Sequence, residues 1–153
     1  MIAWSANPEH DNFGSLHHQM QRFAIPLFYS RSIHFTLSVS GISDATQIPG
    51  EIRQNIFLVF KEAINNIYKY AQANECIARI WTESHRFHFD IADNGRGFDQ
   101  LAVQKGNGLL NIKKRIEELG GNFTLTSEPG MGTRLTYDIP FPFHIPDSWD
   151  RSK

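Results

Sequence analysis

Apolar residues first recur along the chain as Phe13, Leu16, Met20, Phe23 and Leu27, at spacings of three and four. Such a seam resembles two heptads of a coiled coil and predicts a helix over about residues 11–30, its last turn loosened by Pro26. It suits a helix lying on its own domain as well as one facing a partner. Ile33, Phe35, Leu37 and Val39 then alternate with His34, Thr36 and Ser38, the period of a half-buried strand over about residues 32–40. A Gly/Ser/Asp/Pro stretch closes it. A long helix is predicted over about residues 51–71, with Ile52, Ile56, Phe60, Ala63, Ile64, Ile67 and Ala71 on one face.

Two strands follow, at about residues 76–82 and 86–93, joined by Glu83-Ser84-His85. A Gly/Asp-rich loop occupies residues 94–107. The next helix, about 108–119, presents Leu109, Ile112, Ile116 and Leu119 and stops at Gly120-Gly121. Strands at about 122–127 and 133–139 flank the turn Glu128-Pro129-Gly130-Met131-Gly132, and the tail from Pro140 carries no period. Paired strands with helices sharing one face predict an α+β protein: a two-layer α/β sandwich with a mixed, mostly antiparallel sheet covered on one face.

Composition narrows the class without supplying chemistry. The chain has 153 residues, 15 Lys+Arg against 16 Asp+Glu, and a formal net charge of −1. One core suffices for this length, and the near-zero charge argues against a protein that holds nucleic acid by neutralising phosphates. Cys76 alone excludes an intramolecular disulfide framework and a multi-cysteine zinc site. No apolar run reaches the ~18 residues of a spanning helix.

Chemistry enters at four segments. At about 100° per residue, Glu62, Asn66, Lys69 and Tyr70 share an arc bordering the apolar stripe, whereas Asn65 is expected to point toward solvent. Taken alone, that arc is a hydrated helix boundary. In the strand 86–93 the face of Phe87, Phe89 and Ile91 continues by period two to Asp93, a core-side carboxylate that needs donors. Asp93-Asn94-Gly95-Arg96-Gly97-Phe98 then turns on two glycines. Lys105-Gly106-Asn107-Gly108-Leu109 opens a helix, where free amides and the helix dipole favour anions. It is not a dinucleotide fingerprint, because position 111 is Asn, and no Walker phosphate loop occurs in the chain. Last, Gly130-Met131-Gly132 leads to Thr133, on the strand face of Leu135, Tyr137 and Ile139.

In this fixed order the segments resemble the ATP-binding domain shared by histidine kinases, gyrase, heat-shock-90 chaperones and mismatch-repair ATPases. Phe60 to Ala71 resembles the asparagine box. Asp93-x-Gly95-x-Gly97 and Gly106-x-Gly108-Leu109 resemble the two glycine boxes, and Gly130-x-Gly132-Thr133 the last motif. Gly108-Leu109-Leu110-Asn111-Ile112-Lys113-Lys114-Arg115 and the short lid are similar to bacterial sensor kinases of the nitrate-sensor and desaturase-thermosensor type. Trp4 to Asp11 resembles the region of the second hairpin helix in such kinases.

The resemblance implies residues 1–31 as the end of a dimerising, phosphotransfer hairpin with its linker, 32–141 as the ATP-binding domain, and 142–153 as a tail. It implies that Asp93 accepts from the adenine amino group with Thr133 in support, and that Asn66 holds Mg²⁺ against the phosphates. Lys69 would touch the phosphates beside Tyr70, which stands where this kinase group carries His. Gly95, Gly97, Phe98, Gly106, Asn107, Gly108 and Leu109 would shape and line the nucleotide site. Glu62 matches the acid that activates a nucleophile. His10 imitates an acceptor phrase but stands only about 20 residues before the first strand, too few for the rest of a two-helix hairpin, and is read as coincidence. His17-His18 are expected to be exposed.

The implied protein is the catalytic end of a longer sensor kinase: cytoplasmic, homodimeric through a hairpin supplied elsewhere, and acting through a response regulator, with no nucleic-acid partner. A stand-alone serine kinase of the anti-sigma-factor type is the alternative, and the hairpin-like first helix counts against it. Intact Glu62, Asn66 and Asp93 count against an adaptor without nucleotide.

Overall fold

The computed structural model describes residues 11–97 and 108–149. Helix α1 (Phe13–Tyr29) begins at Asn12, whose side-chain oxygen accepts from the Ser15 amide at 2.8 Å, a side-chain cap for an otherwise unpaired donor. Strand β1 (His34–Ser40) follows, then α2 (Gly50–Asn66), a π-helical turn (Ile67–Ala71), β2 (Glu75–Glu83) and β3 (Arg86–Asp93). After the second glycine-rich segment come α3 (Gly108–Glu118), β4 (Asn122–Ser127) and β5 (Thr133–Pro140), with a short 3₁₀ turn at Asp147–Trp149.

The five strands form one sheet in the order β1-β2-β3-β5-β4. Only β1 and β2 run parallel, with α2 as their crossover; the other neighbours are antiparallel. The sheet is therefore mixed and mostly antiparallel, as the pattern predicts. Ser84 and His85 both adopt positive φ, the backbone of a two-residue hairpin whose twist matches its strands. Gly120, at φ +79°, ends α3 while the Gly121 amide reaches back to the Ile116 carbonyl at 2.9 Å.

One face of the sheet is the core floor: Cys76, Ala78 and Ile80 from β2, Phe87, Phe89 and Ile91 from β3, and Leu135, Tyr137 and Ile139 from β5 are all buried. Above it lie Ile52, Ile56, Val59, Phe60 and Ile64 of α2 and Ile112 and Ile116 of α3. On the opposite face β3 buries one carboxylate, Asp90. Arg134 grips it with Nε and Nη2 at 2.9 and 2.6 Å, and the Thr136 hydroxyl donates to it at 3.2 Å.

Helix α1 settles which way its seam faces. Phe13, Leu16, Met20, Ala24 and Phe28 are fully buried within the same core as α2, while Phe23 and Leu27 flank that stripe half-buried. The predicted phase was that of a strict heptad. Packing moves the buried line to Ala24 and Phe28, whose ring meets Phe35 of β1 edge to face at 5.5 Å. The helix also continues through Pro26. Leu16→Ala is expected to destabilise the domain by about 2–5 kcal/mol in urea unfolding, the usual cost of emptying a buried leucine site. An effect below ~1 kcal/mol would mean that α1 is not integral to this core.

The tail departs from expectation in its packing. Phe143 meets Phe87 and Phe141 edge to face, at 5.3 and 5.1 Å between centroids. The Trp149 indole donates to Glu118 at 3.3 Å. Isolated aromatics in an aperiodic segment bury area without leaving a periodic signal, so pattern alone missed them.

Candidate functional site

At one end of the sandwich, α2, the π-helical turn, the end of β3, the start of α3 and the start of β5 surround a cleft of about 810 Å³. It gathers Glu62, Asn66, Lys69, Tyr70, Asp93, Gly97, Gly108, Leu109 and Thr133. Among the expected residues, Phe98, Gly106 and Asn107 lie outside the described residues, as do His10 and the segment Trp4 to His10. Asn65 lines the cleft too, which corrects its assignment to solvent. It stands three residues after Glu62, about 60° to the other side of it, and neighbours at that spacing share a helix face.

Asp93 sits at the floor, 8% exposed, opposite Cys76 on one side and Thr133 on the other. Its Oδ1 accepts from the Gly95 amide at 2.8 Å, and the Thr133 amide also donates to it. Burial nevertheless outweighs these two donors and raises the carboxyl above its ordinary value. Burial likewise pushes the Cys76 thiol up, reinforced by the neighbouring Asp93 charge, so this thiol is held protonated. Thr133 shares a hydroxyl–hydroxyl bond with buried Ser127 at 2.9 Å, and Ser127 donates to the Gly132 carbonyl at 3.1 Å. Ser127 thus fixes the threonine from the far strand, a contact without a local sequence signal.

The glycines are demanded by closeness and by backbone conformation. A Cβ on Gly95 would fall on the Ala71 carbonyl. At φ +76°, Gly132 passes so close that its Cβ would strike the Asp93 carbonyl. Gly108 is under a weaker demand: it opens α3 directly against the Glu62 carboxylate, and a Cβ there would meet Oε1, the movable end of a side chain. The acid of α2 and the start of α3 therefore adjoin in the wall of the cleft, and a negative group is favoured at such a helix start.

The remaining lining was not foreseen. Ile91, Leu125, Leu135 and Pro129 supply apolar wall, and Arg96 also lines the cleft. A buried carboxylate and apolar wall, together with an amide, an ammonium and a helix start in one cleft, suit a ligand with a flat polar head and an anionic tail.

A family profile described as Histidine kinase-, DNA gyrase B-, and HSP90-like ATPase matches residues 51–143, more than half the chain. The chain belongs to this family. Curated relatives agree. The kinase/phosphatase DegS of Brevibacillus brevis is 31% identical over 100 residues, covering 65% of this chain and 26% of DegS. The kinase/phosphatase UhpB of Salmonella typhimurium is 34% identical over 97 residues, covering 63% and 19%. The sensor protein VraS of Staphylococcus aureus is 28% identical over 105 residues, covering 68% and 30%. The matches thus span less than a third of these relatives' lengths. Solved structures share the fold: full-length ShkA in complex with AMPPNP (TM-score 0.72, 19% identity, 88% of this chain and 31% of ShkA) and the histidine kinase AdeS of Acinetobacter baumannii (0.70, 18%, 86% and 66%). The α+β sandwich is that of histidine-kinase catalytic domains.

Proposed function

We propose that this chain is the Mg-ATP-binding, phosphate-donating domain of a two-component sensor histidine kinase. The observation that carries it is one cleft that brings Asp93 and Thr133 together with Glu62, Asn66 and Lys69, in a chain of this family. The Asp93 carboxylate accepts from the adenine 6-amino group, and the apolar wall of Ile91, Leu125 and Leu135 flanks the ring. Lys69 attracts the phosphates as a point charge.

Asn66 offers a hard amide oxygen in the cleft, a fit for Mg²⁺, which is held by few protein groups and otherwise by phosphate oxygens and water. Among the described residues no cluster of three acidic, His or Cys side chains competes for it. When bound, Mg²⁺ supplies charge neutralisation at the phosphates. Glu62 takes the proton of the attacking nucleophile, an acceptor histidine supplied by a helical hairpin outside this chain, and the phosphoryl group then passes to a response regulator. Phe98, Gly106 and Asn107 are proposed to complete the nucleotide wall.

Since α1 is embedded in the same core as α2, we place it within the ATP-binding domain and confine the linker to the residues before it. No described helix is long and apolar enough to cross a membrane. A cytoplasmic setting follows from ATP as substrate, alone or as one end of an anchored sensor. The nitrate-sensor and thermosensor type remains our proposal for the subgroup.

Magnesium-dependent binding of a fluorescent ATP analogue is the expected result, displaced by ATP. Absence of binding at millimolar nucleotide would overturn this reading. Incubation with a cognate hairpin domain should yield acid-labile phosphate on histidine. Acid-stable phosphoserine on a partner protein would instead favour the anti-sigma-factor type of kinase.

A further inference from the structure

We infer that Arg96 is a positioning residue of the nucleotide site: it holds the π-helical turn in the register that aims Lys69 along the cleft. This rests on the nucleotide-binding reading above.

The five residues that follow α2, Ile67–Ala71, leave the α-helical ladder for a π-helical one, a rare arrangement confined to short stretches and frequent at functional sites. Lys69 and Tyr70 lie inside it, so their directions depend on that register. A helix end also leaves carbonyls without intrahelical donors. Here the loop after β3 provides them. Arg96 donates from its backbone amide to the Ala71 carbonyl at 2.7 Å and from Nε to the Tyr70 carbonyl at 2.9 Å.

The two preceding residues hold this helix end and the chain that leaves it. Asn94 Oδ1 accepts from the amides of Asn74 and Glu75 at 3.1 and 3.0 Å, and Gly95 packs against the Ala71 carbonyl. Gln72, at φ +53°, turns the chain out of the helix above this loop. The Arg96 carbonyl in turn accepts from the Gly130 amide at 2.6 Å. Arg96 therefore ties three walls of the cleft together: the turn bearing Lys69, the loop rising from Asp93, and the glycine turn leading to Thr133. Its positive charge at the negative end of a helix adds to the hold.

Only the Nε bond depends on the side chain, and this makes the inference testable. Glutamine places an N–H donor at the same number of bonds from Cα as Arg Nε, without the charge. Methionine keeps the length and has no donor. Each variant retains the backbone bonds of residue 96.

Affinities of the whole chain for ATP, ADP and adenosine are measured by displacement of the fluorescent analogue, with thermal melts alongside. Arg96→Gln is expected to keep ATP affinity within about twofold, while Arg96→Met loses about tenfold for ATP and ADP with adenosine little changed. In a Lys69→Met background, Arg96→Met should add less than about twofold, since the two residues act in series. Equal losses in Arg96→Gln and Arg96→Met, additive losses with Lys69→Met, equal loss of adenosine, or no loss at all would each overturn the assignment. If Arg96→Met fails to fold, Arg96→Gln decides alone: retained affinity supports positioning and lost affinity refutes it. Failure of the unaltered chain to bind the analogue would count against the nucleotide reading instead.

Discussion

Asp93→Asn is expected to weaken nucleotide binding about a hundredfold while leaving the empty domain at least as stable as before. The amide keeps the shape of the carboxylate and can still accept from the Gly95 amide. At its other terminus it presents N–H donors where a carboxylate oxygen would face the adenine amino group, setting donor against donor. Losing a charge-assisted bond in a buried site corresponds to about a hundredfold weaker ATP binding, near 2.8 kcal/mol.

The stability side follows from the raised carboxyl. The folded chain holds the Asp93 proton more tightly than the unfolded chain does, because burial outweighs the Gly95 and Thr133 amides. Its stabilising contribution is fully present below the ordinary carboxyl value of 3.8 and is lost as pH rises through the elevated folded value. The neutral amide escapes that loss. Melting temperatures of the two forms should therefore differ most at neutral pH, in favour of the variant, and draw together toward pH 4. A variant markedly less stable than its parent at pH 7.5 would show that the carboxylate is structural. Undiminished ATP affinity would remove Asp93 from the site.

The Asp93 result concerns the part of the site most legible in the sequence. Phe87, Phe89 and Ile91 establish the inward face of β3, and counting by two reaches Asp93 without any tertiary information. Likewise Phe60, Ala63 and Ile64 orient α2 so that Glu62 and Asn66 border the core. What stayed hidden depends on contacts between distant segments. Nothing within Ile67-Tyr68-Lys69-Tyr70-Ala71 distinguishes a π-helical turn from an α-helical one. The loop 94–96 that embraces this end lies more than twenty residues further along the chain.

Asp90 illustrates the same limit on the sheet's outer face. It lies on the face away from Phe89 and Ile91, where Arg134 and Thr136 from β5 bury it to 3% exposure. The seam of α1 failed more narrowly. Its existence was plain from Phe13, Leu16 and Met20, but its later phase was decided by packing against α2, through which Ala24 and Phe28 replaced Phe23 and Leu27 in the core. Local period thus locates residues on a face. Close approaches such as Gly108 to Glu62 arise only once the sheet has assembled.

That last approach motivates the other large effect. Glu62→Gln is expected to retain ATP affinity within about threefold but to slow phosphotransfer to a hairpin domain supplied in trans by about 10²–10⁴-fold, the usual range for losing a general base. Glutamine matches glutamate in size, so the close contact with Gly108 at the start of α3 is preserved and the cleft keeps its shape. Only the capacity to take a proton is lost. The two readouts separate the roles. If Glu62 served to bind nucleotide, affinity and rate would fall together, whereas a base acts after ATP is seated and leaves the binding curve in place. The pairing of Glu62 with the opening of α3 sharpens the expectation: the base stands beside the helix start assigned to the phosphates, on the same helix face as Asn66 and Lys69. Single-turnover phosphotransfer at saturating Mg-ATP measures the effect free of any change in binding. An unchanged rate there would assign proton removal to a group other than Glu62.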